Sequence, residues 1–183
     1  AKTDAAAATR WFNCFCLMAE LGLRPIEINF LQVLFDPINK EHYWHCTFIK
    51  KAGNGATQPR RIEPLPLIDR DGNEVKWNLM ERFKSNLLPL PERVDGDACK
   101  VYLQRREGWK QLKEMMKKKE GSNLVPYSFR HYYSLRGHIA GIDSGSMASS
   151  MGHSIEAHHR AYPYSSKAST TNAFKQARER LTA

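Results

Sequence analysis

The chain is 183 residues long, 42% apolar and 26% charged, which fits one soluble globular domain and excludes a low-complexity or disordered polymer. Lys and Arg outnumber Asp and Glu by 28 to 19, a formal charge of +9 that would attract a polyanion, DNA or RNA being the simplest. No uncharged apolar run nears the roughly 20 residues that cross a bilayer, so no membrane partner is expected.

The first predicted element is a helix over about residues 5–20, with Trp11, Phe12, Phe15, Leu17 and Met18 on its apolar side. The alanines at 5–8 are too few for a signal peptide. Gly22 ends this helix, and Pro25 opens a short second one, RPIEINFLQV. Arg24 thereby sits at a loop–helix junction, a place suited to binding anions.

Next, YWHCTFIKKAGNGATQPRRIEPLPLI carries β-branched and aromatic residues on both sides of AGNG, which predicts a hairpin with Lys50 and Lys51 at its tip. DRDGNE is a second turn, WNLMERFKSNLL a helix, and residues 89–97 a surface connection. One long basic helix is predicted over about 98–119, its lysines at the end where the helix dipole favours cations. The bland reading of that lysine run is a solvated face.

Pro126 opens the helix SFRHYYSLRGHIAG; DSGSMASSMGHS reads as a short helix broken by glycines, IEAHHRAY as another, and about 165–183 as a tail helix. No internal repeat is evident. The fold class is mainly α with a small antiparallel β-sheet. The chain starts on Ala rather than Met and runs almost at once into a helix, which reads as a domain of a longer protein. Cys14, Cys16, Cys46 and Cys99 form no metal-ligand spacing and are expected as reduced, mostly buried thiols.

The most informative pattern lies near the C-terminus. His153 follows Arg130 by 23 residues and Tyr162 follows His153 by nine. Displacement at a phosphodiester needs a nucleophile, charge stabilisation on the nonbridging oxygens and a proton for the leaving oxygen. Arg24 and Arg130 can hold phosphate oxygens through planar, permanently charged contacts. Tyr162 can attack, storing the bond as a phosphotyrosine ester without ATP or metal. Lys51 on the hairpin can protonate the leaving oxygen, although Lys50 is adjacent and faces the other way. His153 can hydrogen-bond the phosphate. Tyr164 is a competing nucleophile that misses the nine-residue spacing. His153, His158 and His159 lack the carboxylate or cysteine that would complete a metal site. His42 and His45 read as structural, Tyr132 and Tyr133 as core.

These residues resemble the tyrosine recombinases, or phage integrases. LGLRPIEI resembles the first arginine motif, with Glu27 as its acidic supporter; FIKKAGNG resembles the lysine hairpin, SFRH the second arginine box and MGHS the motif before the tyrosine. The resemblance covers about residues 10–165. It implies a catalytic domain with a 3′-phosphotyrosyl intermediate and a free 5′-hydroxyl, no cofactor and no metal, acting on double-stranded DNA as a homo-oligomer, a tetramer, in the cytoplasm of a bacterium or phage host. It also implies that the tail packs on a neighbouring protomer, and that the N-terminal core-binding domain of larger members is absent from this chain. One departure stands out. Three residues before Arg130 the family carries histidine or lysine, where this chain has Tyr127, a donor without charge near neutral pH. The alternatives are a type IB topoisomerase, which uses the same residues to relax supercoils, and a noncatalytic DNA-binding relative.

Overall fold

A computed structural model describes residues 2–50, 57–162 and 167–182. The first helix, α1 (Lys2–Leu21), buries Cys14, Leu17, Met18 and Leu21, a spacing of three and four that makes one face. Gly22 closes it at φ 64, and a Cβ there would lie 2.4 Å from the Tyr133 ring. Glycine is therefore required twice over, by the left-handed backbone and by the close approach of that ring.

A 3-10 helix follows (Pro25–Phe30), and then a strand, β1 (Leu31–Asp36), where the sequence predicts continued helix. The apolar residues of INFLQV fit either period, and the tertiary partner decides. β1 pairs antiparallel along its whole length with β2 (Glu41–Cys46), from Leu31 opposite Cys46 to Asp36 opposite Glu41. The turn between them is held by the Asp36 carboxylate, which accepts from the Ile38 and Asn39 backbone N–H groups.

β2 pairs in turn with β3 (Arg60–Ile62). The predicted hairpin is thus one side of a three-stranded sheet, and most of its tip, residues 51–56, lies outside the described residues. Trp44, Cys46 and Ile62 turn inward and pack with α1; Arg60 shares their face, opposite Cys46. The DRDGNE turn joins the short pair β4 (Leu67–Ile68) and β5 (Glu74–Val75).

The helices after the sheet are α2 (Leu79–Lys84), α3 (Gly96–Gln104) and α4 (Glu107–Glu120). The single long helix predicted for this stretch is two. Arg106 is extended at φ −102, ψ 122; its guanidinium lies 4.2 Å from the Tyr102 ring and 3.4 Å from Asp4 on α1. These contacts with α1 and α3 accompany the break, which residue propensities alone do not signal. α4 has no buried residue, so its lysine run lies on a solvated helix.

α5 (Ser128–Ile139), α6 (Ser144–Met151), α7 (Ile155–Ala161) and α8 (Lys167–Leu181) complete the chain. Asp143 and Ser154 cap α6 and α7 by accepting from the Ser146 and Ala157 N–H groups. α5 packs on α1, and a second, smaller core forms from Tyr133, Met147, Met151 and Tyr162. All four cysteines are buried, unbridged thiols. The molecule is mainly α with small antiparallel sheets, and no helix among the described residues is long and apolar enough to cross a membrane.

A candidate phosphate site built on three arginines

The site centres on the Glu27 carboxylate, fully buried at 0% exposure. Arg24 Nη1 lies 2.7 Å from it, Arg60 Nη2 3.0 Å and Arg130 Nη1 3.7 Å. Glu27 reaches this place because it closes a capping box with Arg24, accepting the Arg24 backbone N–H at 2.8 Å. Burial pushes its pKa up, but the charges of Arg60, Arg130 and Arg24 outweigh burial and hold it below the usual value.

The second anchor is the C-terminal end of α6. The Met151 carbonyl accepts from Arg24 at 3.3 Å, from Arg60 at 3.2 Å and from Arg130 at 2.6 Å. The Ser150 carbonyl accepts from Arg60 Nε at 2.8 Å, and the Gly152 carbonyl from Arg24 Nη2 at 3.1 Å. These are the carbonyls a helix end leaves free, at its negative pole. Gly152 sits at φ 67, and a Cβ on it would fall 2.4 Å from Arg60 Cζ. The glycine before His153 therefore makes room for the third guanidinium.

Three positive charges face one carboxylate, which leaves two in excess. Among the described residues, Arg60 Nη1 and Arg130 Nε are buried without a hydrogen-bond partner. A phosphate would supply both charge and acceptors. Beside the cluster is a cleft of about 820 Å³, lined by Arg24, Lys50, Arg60, His153 and Ser154 together with residues of α6 and α7.

The predicted residues converge here, with one exception. Tyr127 stands just ahead of α5, and its ring lies 5.9 Å from Arg130 Cζ. His153 Nδ1 is 3.4 Å from Arg130 Nη2. Burial first, then the Arg130 charge, holds the His153 imidazole down to about 3, so the ring is neutral. Tyr162 caps α7, its N–H bonded to the His158 carbonyl. Its side chain is 3% exposed and lies against His131, His153 and His158 at ring separations of 5.3, 5.9 and 4.9 Å. Burial raises its pKa, opposed by the charge of Arg130. Lys51 lies outside the described residues, as does Tyr164; Lys50 lines the cleft.

Arg60 is the functional candidate that sequence reasoning missed. The signal was available in β alternation, since Arg60 is two residues from the apolar Ile62 and must share its face. Among the described residues, no group of histidine, cysteine and carboxylate side chains is placed to hold a metal.

No family model matches the chain. It is 24% identical over 156 residues to excisase C of Nostoc sp., an alignment covering 83% of this chain and 28% of that protein. The chain thus spans little more than a quarter of that curated relative. In structure it aligns with the Tn1549 transposon integrase in complex with circular intermediate DNA, with TM-score 0.47, 14% identity, 96% of this chain and 64% of the other. A second structure of that integrase, with transposon right end DNA, gives TM-score 0.47, 15% identity, and coverage of 100% and 64%. With its motif order and its curated relative, the chain is similar to the tyrosine recombinases.

Proposed function

We propose that the chain is the catalytic domain of a site-specific DNA recombinase that cleaves and rejoins strands through a 3′-phosphotyrosyl intermediate. The observation that carries this reading is the arginine cluster: three guanidiniums around one buried carboxylate, with His153 3.4 Å from Arg130 and the Tyr162 ring packed beside His153. Arg24 and Arg130, joined by Arg60, hold the nonbridging oxygens and stabilise the charge that builds on them. Tyr162 attacks phosphorus, and a hairpin lysine, Lys51 or its neighbour Lys50, protonates the departing 5′-oxygen. Tyr127 replaces a charged group with a neutral phenol whose ring lies beside Arg130. The chemistry uses neither ATP nor a bound metal. The substrate is double-stranded DNA, and two exchanges per recombination event fit a tetramer on DNA.

The test is covalent trapping on a nicked suicide substrate. The wild-type chain is expected to form a protein–DNA adduct mapped to Tyr162, while Tyr162→Phe binds DNA equally and forms none. Absence of a wild-type adduct would overturn the enzyme reading.

One observation favours the noncatalytic alternative: Tyr162 is packed against Tyr133, Met147 and Met151. Attack requires the end of α7 to move so that the phenol oxygen meets a phosphate. A chain that binds DNA in every condition but never forms the adduct belongs to that second class.

A further inference from the structure

Three histidines form a hydrogen-bonded file behind the arginine cluster. His153 Nε2 lies 2.8 Å from His158 Nδ1, and His158 Nε2 lies 2.8 Å from His138 Nε2. His158 is fully buried and is reached from α5 by His138. At the other end, His153 Nδ1 faces Arg130 Nη2 at 3.4 Å. A nitrogen–nitrogen contact of this kind holds one hydrogen, so each link has one donor and one acceptor.

The arginine end sets the direction. A guanidinium carries hydrogens and no acceptor, so a proton on His153 Nδ1 would place two N–H groups head to head. Nδ1 is therefore bare and Nε2 carries the hydrogen, which His158 Nδ1 accepts. His158 must then carry its hydrogen on Nε2 and give it to His138 Nε2, leaving the His138 hydrogen on Nδ1. All three rings are neutral. Burial and the nearby positive charges agree: they hold His153 down to about 3 and His158 to about 4, and they lower His138.

We propose that His158, backed by His138, is a positioning residue that locks His153 in its Nε2–H tautomer and keeps the Nδ1 lone pair facing the arginine–tyrosine pocket. The consequence for chemistry rests on the recombinase reading above. The bare Nδ1 accepts the N–H of Arg130 Nη2, so the locked ring steadies that guanidinium beside the phosphate it is proposed to hold.

The sequence offers His153 and His158, with His159, as an incomplete metal site. The geometry gives His153, His158 and His138 a directed chain, in which His153 and His158 each have a different partner on each nitrogen.

The experiment reads tautomers directly, by nitrogen-15 imidazole spectra of the full chain as wild type, His158→Leu and His158→Asn. In the wild type, His153 and His158 are expected as Nε2–H and His138 as Nδ1–H. In His158→Leu, His153 loses its acceptor and becomes a tautomer mixture, and adduct formation falls roughly 10–100-fold, as for loss of an outer partner that orients a reactive histidine. His158→Asn offers an amide oxygen in place of Nδ1 and restores both. A wild-type His153 protonated on Nδ1, or a His158→Leu tautomer identical to the wild type, overturns the proposal. If His158→Leu fails to fold, the wild-type tautomers and the Asn rescue decide. If the tautomers are as expected but the wild type forms no adduct, the recombinase reading falls and the positioning role stands.

Discussion

Replacing Glu27 with Gln removes one negative charge from among three arginines while keeping the shape and one acceptor oxygen. At contacts of 2.7, 3.0 and 3.7 Å, each pair attracts by roughly 4–6 kcal/mol at an effective dielectric near 20. Desolvation of the buried carboxylate opposes much of this, and losing one partner of a buried ionic cluster costs about 3–5 kcal/mol. For a chain of this size, 1 kcal/mol moves the melting temperature by about 2–4 °C, so Glu27→Gln should melt about 6–20 °C below wild type near pH 7. The pH dependence has a definite sign. The Glu27 pKa is lowered in the folded state, so its stabilisation is complete above the unfolded carboxylate pKa of about 4.3 and fades as pH falls through the folded value. Urea denaturation of both proteins from neutral to acid pH measures the gap. Because Gln does not titrate, the gap should be widest at neutral pH and shrink in acid. A neutral-pH difference within about 0.5 kcal/mol, the range of an ordinary surface change, or a gap that widens in acid, refutes the clustering argument.

Three further outcomes follow from other parts of the molecule. Gly22→Ala places a Cβ 2.4 Å from the Tyr133 ring at a positive φ, and should cost about 2–4 kcal/mol in denaturant unfolding from backbone strain and overpacking together; a neutral effect would mean that α1 and α5 separate freely. The Glu20 carboxyl is pushed up to about 7, by burial first and then Glu74, against the pull of Arg136. A raised folded pKa makes ionisation destabilising, so wild type should lose stability as pH rises from about 4.5 to 7, and Glu20→Gln should exceed it by about 1–2 kcal/mol at pH 8 after discounting for partial exposure. Finally, the triple change of Lys117, Lys118 and Lys119 to Ala should reduce the slope of log affinity for duplex DNA against log salt by about 1–3, near 0.9 for each phosphate no longer neutralised; an unchanged slope leaves the run as a solvated face.

The parts of the fold that were legible in the sequence are those set by local chemistry. The segments DSGSMASSMGHS and IEAHHRAY read as short helices, and the structure caps them with Asp143 and Ser154, each satisfying N–H groups within its own turn. Gly22 and Gly152 mark helix ends because each adopts a positive φ there. β1 was not legible: its apolar residues suit a helix, and only the ladder with β2 decides. The break between α3 and α4 is accompanied by a contact of Arg106 with Asp4, far away in the sequence on α1. The same division runs through the site. Arg130, His153 and Tyr162 could be read together because they sit on consecutive elements, so their spacing is nearly fixed by helix lengths. Arg60 reaches the site through a strand register, and the roles of His138 and His158 depend on which nitrogen each offers, which composition does not encode.

On the proposed reading of the arginine cluster as a phosphate site, the end of α6 gives a reason for fastening it with carbonyls. A positively charged pocket has to be held together in the absence of its anion, or the arginines repel one another. Carboxylates for every arginine would hold it, and would also cancel the charge that binds the ligand. Here one carboxylate, Glu27, serves three guanidiniums, and the carbonyls of Ser150, Met151 and Gly152 accept further hydrogen bonds from all three. A carbonyl dipole orients a guanidinium with only a fraction of a charge, about half an elementary charge for the whole helix end. One full charge and that half leave roughly one and a half of the three positive charges uncompensated, enough to match one phosphodiester. The glycine–helix junction therefore performs two tasks that no carboxylate could combine: it fixes the geometry of the arginines, and it leaves their charge for the proposed ligand.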